Sequence, residues 1–245
     1  MKTSRKDMDR LTAVPQSYHS FFSFPKIKGG YSGVAVYYDP TIAVAVKAEE
    51  GLSGTLQPKP PLSPEEQISR SYPSAPQLPL HADDDGCVPS DLVALDAEGR
   101  ALVLDFGLFV LINVYCPTDA SDVRSTFKMN FNLMLQERVR ILISEGREVI
   151  VLGDINIASH PIDHGEGSLE SRQKVFWDHP PRMWLKNWLE PVGPMHDVIR
   201  RFWPGRQGMY TCTYRHILRW NPYLTAHARL EHQNISPRYQ LWGEN

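Results

Sequence analysis

The strongest pattern in the chain is a pair of nearly unbroken apolar runs, GLFVLINVYCP (107–117) and REVIVLGDIN (147–156), with a stretch of helical spacing between them. Short aliphatic runs bounded by Gly, Pro and polar residues predict strands. The first run is so uniformly apolar that it predicts a central strand buried on both faces. Between the runs, residues 122–147 place Phe127, Phe131, Met134, Arg138 and Leu142 on one stripe and leave Glu137, Arg140 and Glu145 off it. That spacing predicts a helix whose apolar face contains one long basic side chain. Ser121 or Asp122 can cap its first turn, and Gly146 can close its last.

Weaker patterns flank this unit. YSGVAVYYD (31–39) follows a Gly29-Gly30 turn and predicts a strand, and DLVALDAEGRALVLDF (91–106) predicts a hairpin about Glu98-Gly99. Residues 50–89 change character: LQPKPPLSPEEQ and SYPSAPQLPL are proline-rich, and HADDDG is acidic. This composition predicts a long, partly disordered insertion, poorly packed and without chemistry of its own. Residues 183–189 and 196–202 have helical spacing, separated by Pro191 and Pro194 and ended by Pro204-Gly205. Strand, long helix and strand in succession make the fold class α/β.

Composition narrows the picture only modestly. With 245 residues, 42% of them hydrophobic, the chain can bury one sizeable core. No apolar run is long enough to span a bilayer, so no membrane partner is expected. MKTSRKDMDR has no hydrophobic segment behind its charges, so no secretory signal is expected. Cys87, Cys116 and Cys212 form no CxxC pattern, which suits a reducing compartment, nuclear or cytosolic. A net charge of −2 means that any nucleic-acid contact must come from local basic clusters.

The candidate chemistry lies where the second apolar run stops, at Gly153-Asp154-Ile155-Asn156. Positions two apart on a strand face the same side, so a carboxylate and an amide would emerge together at the sheet edge. A carboxylate there can act as a base or bind a hard cation, and an amide can orient water. The alternative is an Asx-turn in which the two residues simply lead the chain out of the strand. His160 and His164 are four apart, but the intervening Pro161 argues against helical presentation as a metal pair. Asp163 reads as a residue that fixes the loop through local hydrogen bonds.

Separate motifs carry a resemblance. FVLINVYCP resembles the NxYxP-type strand, GYSGV (30–34) the glycine-tyrosine strand, and GDINIASHPIDH the GDxNxAxxxxD loop of the exonuclease III-like AP endonucleases. These belong to the endonuclease/exonuclease/phosphatase superfamily. SFFSFPKIKGGYSGVAVYY, HPIDH and PGRQGMYTC look most like the second of the family's eukaryotic types. The resemblance implies a four-layered α/β sandwich, two packed sheets flanked by helices and incomplete here at both ends. It implies a DNA-repair hydrolase that cuts 5′ of abasic sites, with 3′-5′ exonuclease or 3′-phosphodiesterase activity, acting in the nucleus. Its partner would be double-stranded DNA with abasic sites or blocked 3′ ends, and its cofactor Mg²⁺, with Mn²⁺ as a substitute. By the same resemblance Tyr115 bonds the scissile phosphate and Asp154 activates the attacking water close to the metal. Asn156 orients that water beside the metal, and Tyr31, Lys26 and Lys28 contact DNA. The bland alternative for Tyr115 and Tyr31 is packing on a strand.

The resemblance also fails in places. The family places an asparagine and then a metal-binding glutamate on its first two strands, and neither precedes the matched motifs here. After Cys212 the family continues toward an R-[IL]-D-Y strand and an Asp-His pair, whereas TYRHILRWNPYLTAHARLEHQNISPRYQLWGEN matches neither. The domain is therefore expected to cover 1–212, with 213–245 an unmatched tail. His216, His227 and His232 lack the context of the family's catalytic histidine. A read-through intron, a shifted frame or a divergent tail would each produce this pattern, and the chain as written is expected to cleave slowly or not at all. Two other functions remain open: a superfamily phosphatase or phosphodiesterase acting on lipid, inositol or RNA, and a DNA-binding module without activity.

Overall fold

A computed structural model describes residues 4–27, 31–118, 121–164, 169, 171 and 173–207, together with the backbone of 212–213, 219–220 and 226–228. A one-turn helix α1 (Arg10–Ala13) leads into β1 (His19–Ser23) and β2 (Val34–Tyr38), which pair antiparallel as a small sheet. Next come β3 (Lys47–Glu50), α2 (Val93–Asp96), β4 (Ala101–Asp105), β5 (Val110–Tyr115), the long helix α3 (Asp122–Ser144) and β6 (Val149–Asp154). After these follow α4 (Gln173–Trp177), α5 (Pro180–Trp188), β7 (Met195–Asp197), α6 (Val198–Phe202), β8 (Cys212–Thr213), β9 (Arg219–Trp220) and β10 (Ala226–Ala228). The main sheet has the order β3-β4-β5-β6-β10-β7. β5 and β6 run parallel, joined by α3 as the crossover helix such a pair requires, and every other pairing is antiparallel.

Alternation along the strands builds the layers. Val110, Ile112 and Val114 of β5 and Val149 and Val151 of β6 face α3, whose Phe131, Met134, Leu135, Val139 and Leu142 are fully enclosed. Burying each such side chain contributes about 1.5–3 kcal/mol. Leu102 and Leu104 of β4 and Leu111 of β5 face the other way, onto Phe21, Val36 and Tyr38 of the small sheet. On that sheet's outer side Tyr37 and Ser20 hydrogen-bond the carbonyls of Thr12 and Ala13 in α1. The order helix, sheet, sheet, helix is thus present, with the outermost helix reduced to one turn.

Several expectations change. The first apolar run does form a central strand, but its residues alternate between fully and half-buried, because the second-sheet side is only partly covered. The hairpin is not at Glu98-Gly99. Residues 93–96 form a helical turn, and the hairpin joins β4 to β5, with Gly107 at φ +79°. The partner of β4 on its other edge is β3, a charged KAEE segment with no alternating signature. His196 lies in β7, so that helix starts only at Val198.

Residues 50–80 also depart from expectation, whereas the acidic stretch 81–88 is exposed, as expected. Residues 50–80 form a packed strap: Leu52, Ile68, Ala75 and Leu80 are buried in the main core. The Ile68 amide and Tyr72 hydroxyl donate to Glu49, the Arg70 amide to Glu145, and the His81 amide to Asn130. Prolines stiffen the strap and single apolar residues anchor it, so it needs no periodic pattern to pack. Beyond Cys212, in the stretch that matches none of the motifs, β10 fills the position between β6 and β7.

A candidate active site at the ends of two parallel strands

Tyr115 and Asp154 are partners in the parallel register of β5 and β6, at the C-terminal end of both strands and on the same face. The Cys116 amide donates to the Asp154 carbonyl (2.8 Å), which locks the two ends together. Gly153 makes the approach possible: a Cβ there would lie 2.1 Å from the Val114 carbonyl oxygen, and its φ is +118°. Only glycine fits.

Asn156 is no longer on the strand. It adopts φ +55°, and its amide donates to Asp154 Oδ1 (3.0 Å). This is the Asx-turn of the bland alternative, yet it uses only one oxygen of the carboxylate. The Asn156 side chain donates through Nδ2 to the Cys116 carbonyl (2.7 Å), and its own carbonyl accepts from the buried Lys128 ammonium (2.8 Å). Asn156 is therefore fixed from three sides next to Asp154. It reaches that place through a left-handed turn rather than through strand alternation.

Two cations missed in the sequence, Lys128 and Arg100, act on the Asp154 carboxylate. Arg100, 4% exposed, donates through Nη1 to the Tyr115 carbonyl (2.9 Å) and through Nε to Glu98 (2.5 Å). Its guanidinium lies 5.0 Å from the Tyr115 ring centroid and 5.5 Å from that of Tyr31, so it links the two tyrosines. Arg124 closes the unit with two bonds to Glu98 (2.7 and 3.0 Å). Burial pushes the Asp154 carboxyl above the ordinary aspartate range, opposed by the Asn156 amide and the charges of Lys128 and Arg100. Burial also raises Glu98, but Arg124 and Arg100 outweigh it and hold that carboxyl below its usual range. The signal that could have found Arg100 is its place at the head of β4, the strand next to the Tyr115 strand.

The remaining expected residues divide. Tyr31 reaches this cluster through Arg100. Lys26 lies on the same edge, but its ammonium is paired with Glu50 (2.8 Å) and its amide with the Ala97 carbonyl. Lys28 lies outside the described residues. His160 and His164 do not form a pair: the His160 ring faces the Ser159 hydroxyl (3.1 Å), and the His164 ring meets Phe176 edge-on. Asp163 fixes the loop, but its main bonds come from the distant Arg200, and only the Ser159 bond is the local kind expected. Among the described residues no three His, Cys, Asp or Glu side chains gather as a metal cage. Asp154 with Asn156 is an oxygen pair that suits a hard, largely hydrated cation completed by a substrate phosphate.

No family model matches the chain. It is 33% identical to the DNA-(apurinic or apyrimidinic site) endonuclease 2 of Schizosaccharomyces pombe over 256 aligned residues, 99% of this chain and 46% of that protein. It is 34% identical to the human protein of the same name, over 86% of this chain and 41% of that one. The chain thus spans somewhat less than half the length of the curated relatives it matches. Among solved structures, the Xenopus laevis APE2 catalytic domain superposes with a TM-score of 0.73 at 27% identity, covering 93% of this chain and 71% of that one. The 3′-5′ exonuclease NExo of Neisseria meningitidis shares the fold, with a TM-score of 0.61 at 19% identity, over 93% of this chain and 73% of that one. The curated relatives to which this chain is similar are of the AP endonuclease 2 type, in keeping with the resemblance of its motifs to the exonuclease III-like AP endonucleases.

Proposed function

We propose that the edge formed by Tyr115, Asp154 and Asn156 hydrolyses DNA phosphodiesters, cutting on the 5′ side of abasic sites and removing nucleotides or blocking groups from 3′ ends. The observation that carries this reading is the in-register pairing of Tyr115 with Asp154 at the open ends of two parallel strands. Asp154 accepts the proton of the attacking water. Burial makes it a stronger base than an ordinary aspartate, a shift that the charges of Lys128 and Arg100 oppose. The Tyr115 hydroxyl donates to a phosphate oxygen, and Asn156 orients the water. Arg100 and Lys128 supply a fixed positive field where the phosphate gains charge.

Enzymes of this family generally use a divalent metal, and Mg²⁺ is the proposed ion, with Mn²⁺ as a substitute. Asp154 and Asn156 would hold it, and when bound it neutralises charge on the phosphate oxygens. One carboxylate is a sparse donor set for Mg²⁺, so slow turnover is expected. The test is incision of a duplex containing one abasic site, with Mg²⁺, by the parent chain, Asp154→Asn and Tyr115→Phe. Slow incision by the parent that falls at least about 100-fold in Asp154→Asn supports the proposal. Equal rates in parent and Asp154→Asn, or no incision by any of them, would reject it.

A further inference from the structure

On the same edge of the sheet, beyond the end of β7, the chain reads RRFWPGRQ (200–207), two aromatics set among arginines. β7 and β6 are both antiparallel to β10, so they run the same way, and α6 emerges where the Tyr115 and Asp154 strands also end. Phe202 is 66% exposed and Trp203 38%, with ring centroids 6.0 Å apart, and the Arg206 guanidinium lies 5.8 Å from the Trp203 centroid. Arg201 and Arg206 are both exposed. The two rings thus form one exposed aromatic surface flanked by arginines.

The patch is rigid, and it is tied to the site loop through one buried residue. Arg200, 7% exposed, bonds both oxygens of Asp163 in the loop that follows Asn156. Its Nη1 donates to the carbonyls of Trp203, Pro204 and Arg206, which fixes the turn that displays Trp203. Asp197 caps α6 through the Arg200 amide and accepts from Ser159 in the same loop. Between loop and patch lies a cavity of about 410 Å³ bordered by His160, Trp177, Lys186 and Arg201, with Glu190 as its exposed acid. The Lys186 ammonium sits 4.5 Å from the Trp177 ring centroid. Aromatic faces alternating with cations along one track are the chemistry of an unpaired nucleic-acid strand, bases stacking on rings and phosphates meeting arginines.

We infer that Phe202, Trp203, Arg201 and Arg206 form a second nucleic-acid contact, which holds an unpaired stretch of strand beside the Asp154 site. The inference rests on the DNA reading of that site and adds a subsite for single-stranded substrate. The test is fluorescence anisotropy of a labelled oligothymidine about 12 nucleotides long, without divalent metal, across a salt series. Four proteins are compared: the parent chain, Phe202→Ala/Trp203→Ala, Arg201→Gln/Arg206→Gln and Trp203→Tyr. The aromatic double variant should lose about tenfold or more in affinity with its salt slope unchanged. The arginine double variant should lower the slope of log K against log salt by about 1.4, two phosphate contacts on a single strand. Trp203→Tyr, which keeps a stacking face, should recover most of the affinity. Parent-like affinity in the aromatic variant, with parent-like thermal unfolding, overturns the subsite and leaves the hydrolase reading standing. A parent that does not bind the oligonucleotide overturns it too, whereas only loss of Asp154-dependent incision bears on the hydrolase reading.

Discussion

Two arginines in this molecule have nearly the same company and opposite roles. Arg138, fully buried on α3, bonds Glu49 (2.6 Å) and lies 4.3 Å from the Tyr72 ring centroid. Arg100 bonds Glu98 (2.5 Å) and lies 5.0 Å from the ring centroid of Tyr115. In each case a glutamate holds a guanidinium against a tyrosine. What differs is where the chain leads next. Around Arg138 the bonds tie the core to the strap: Glu49, itself buried, also receives the Ile68 amide and the hydroxyl of the half-buried Tyr72. Around Arg100 the second tyrosine, Tyr31, is 38% exposed, and Tyr115 sits beside the half-buried carboxylate of Asp154 at the strand end. The same interaction serves as scaffold in one place and as part of a site in the other, and the topology decides which.

The comparison is most easily broken in the core. Glu49→Ala leaves the Arg138 charge buried without its partner, and loss of one member of such a pair costs about 3–5 kcal/mol. Urea unfolding should show that loss, and a change below about 1 kcal/mol would mean that the pair is not structural. Next in size is Ile68→Ala, about 2–4 kcal/mol if the strap is packed as described. A negligible change in the same measurement would return residues 50–80 to the loose insertion that their composition suggests.

These two residues show what the sequence could and could not reveal. The strands ending at Tyr115 and Asp154 and the helix between them were legible because each is written as a run or a period. Arg138 was visible as an intruder in the apolar stripe, though not its partner. The strap was not legible, because Leu52, Ile68, Ala75 and Leu80 are isolated among prolines and their anchoring depends on Glu49 and Asn130, distant in sequence. Arg100 and Lys128 were missed for the same reason: their meaning lies in the carbonyls of Tyr115 and Asn156, which only the fold brings near. Asn156 was placed beside Asp154 correctly but by the wrong route, through strand alternation rather than a left-handed turn.

A smaller effect distinguishes the two units by pH. The Glu98 carboxyl is held below its usual range in the fold, the pull of Arg124 and Arg100 outweighing burial. Its contribution is therefore present above the unfolded-state pKa and is lost as pH falls through the folded value. Asp96, close to Arg138, is raised by burial and has the opposite sign, costing stability as pH rises. Between neutral pH and about pH 3, the parent should lose more stability than Glu98→Gln, which has no proton to gain. Parallel acid-unfolding curves for the two would contradict the ion-paired state of Glu98.

The most direct measurement compares Arg100→Met and Arg138→Met for both unfolding free energy and incision of an abasic duplex. Arg100→Met should keep its stability to within about 1–2 kcal/mol, since Glu98 retains Arg124, and should lose about 10- to 100-fold in kcat/KM, about 1.4–2.7 kcal/mol of transition-state stabilisation. Arg138→Met should lose about 3–5 kcal/mol of stability and, at a temperature where it stays folded, keep a near-parent rate. Full activity in Arg100→Met, or a selective loss of activity in a stable Arg138→Met, would contradict the assignment of site and scaffold.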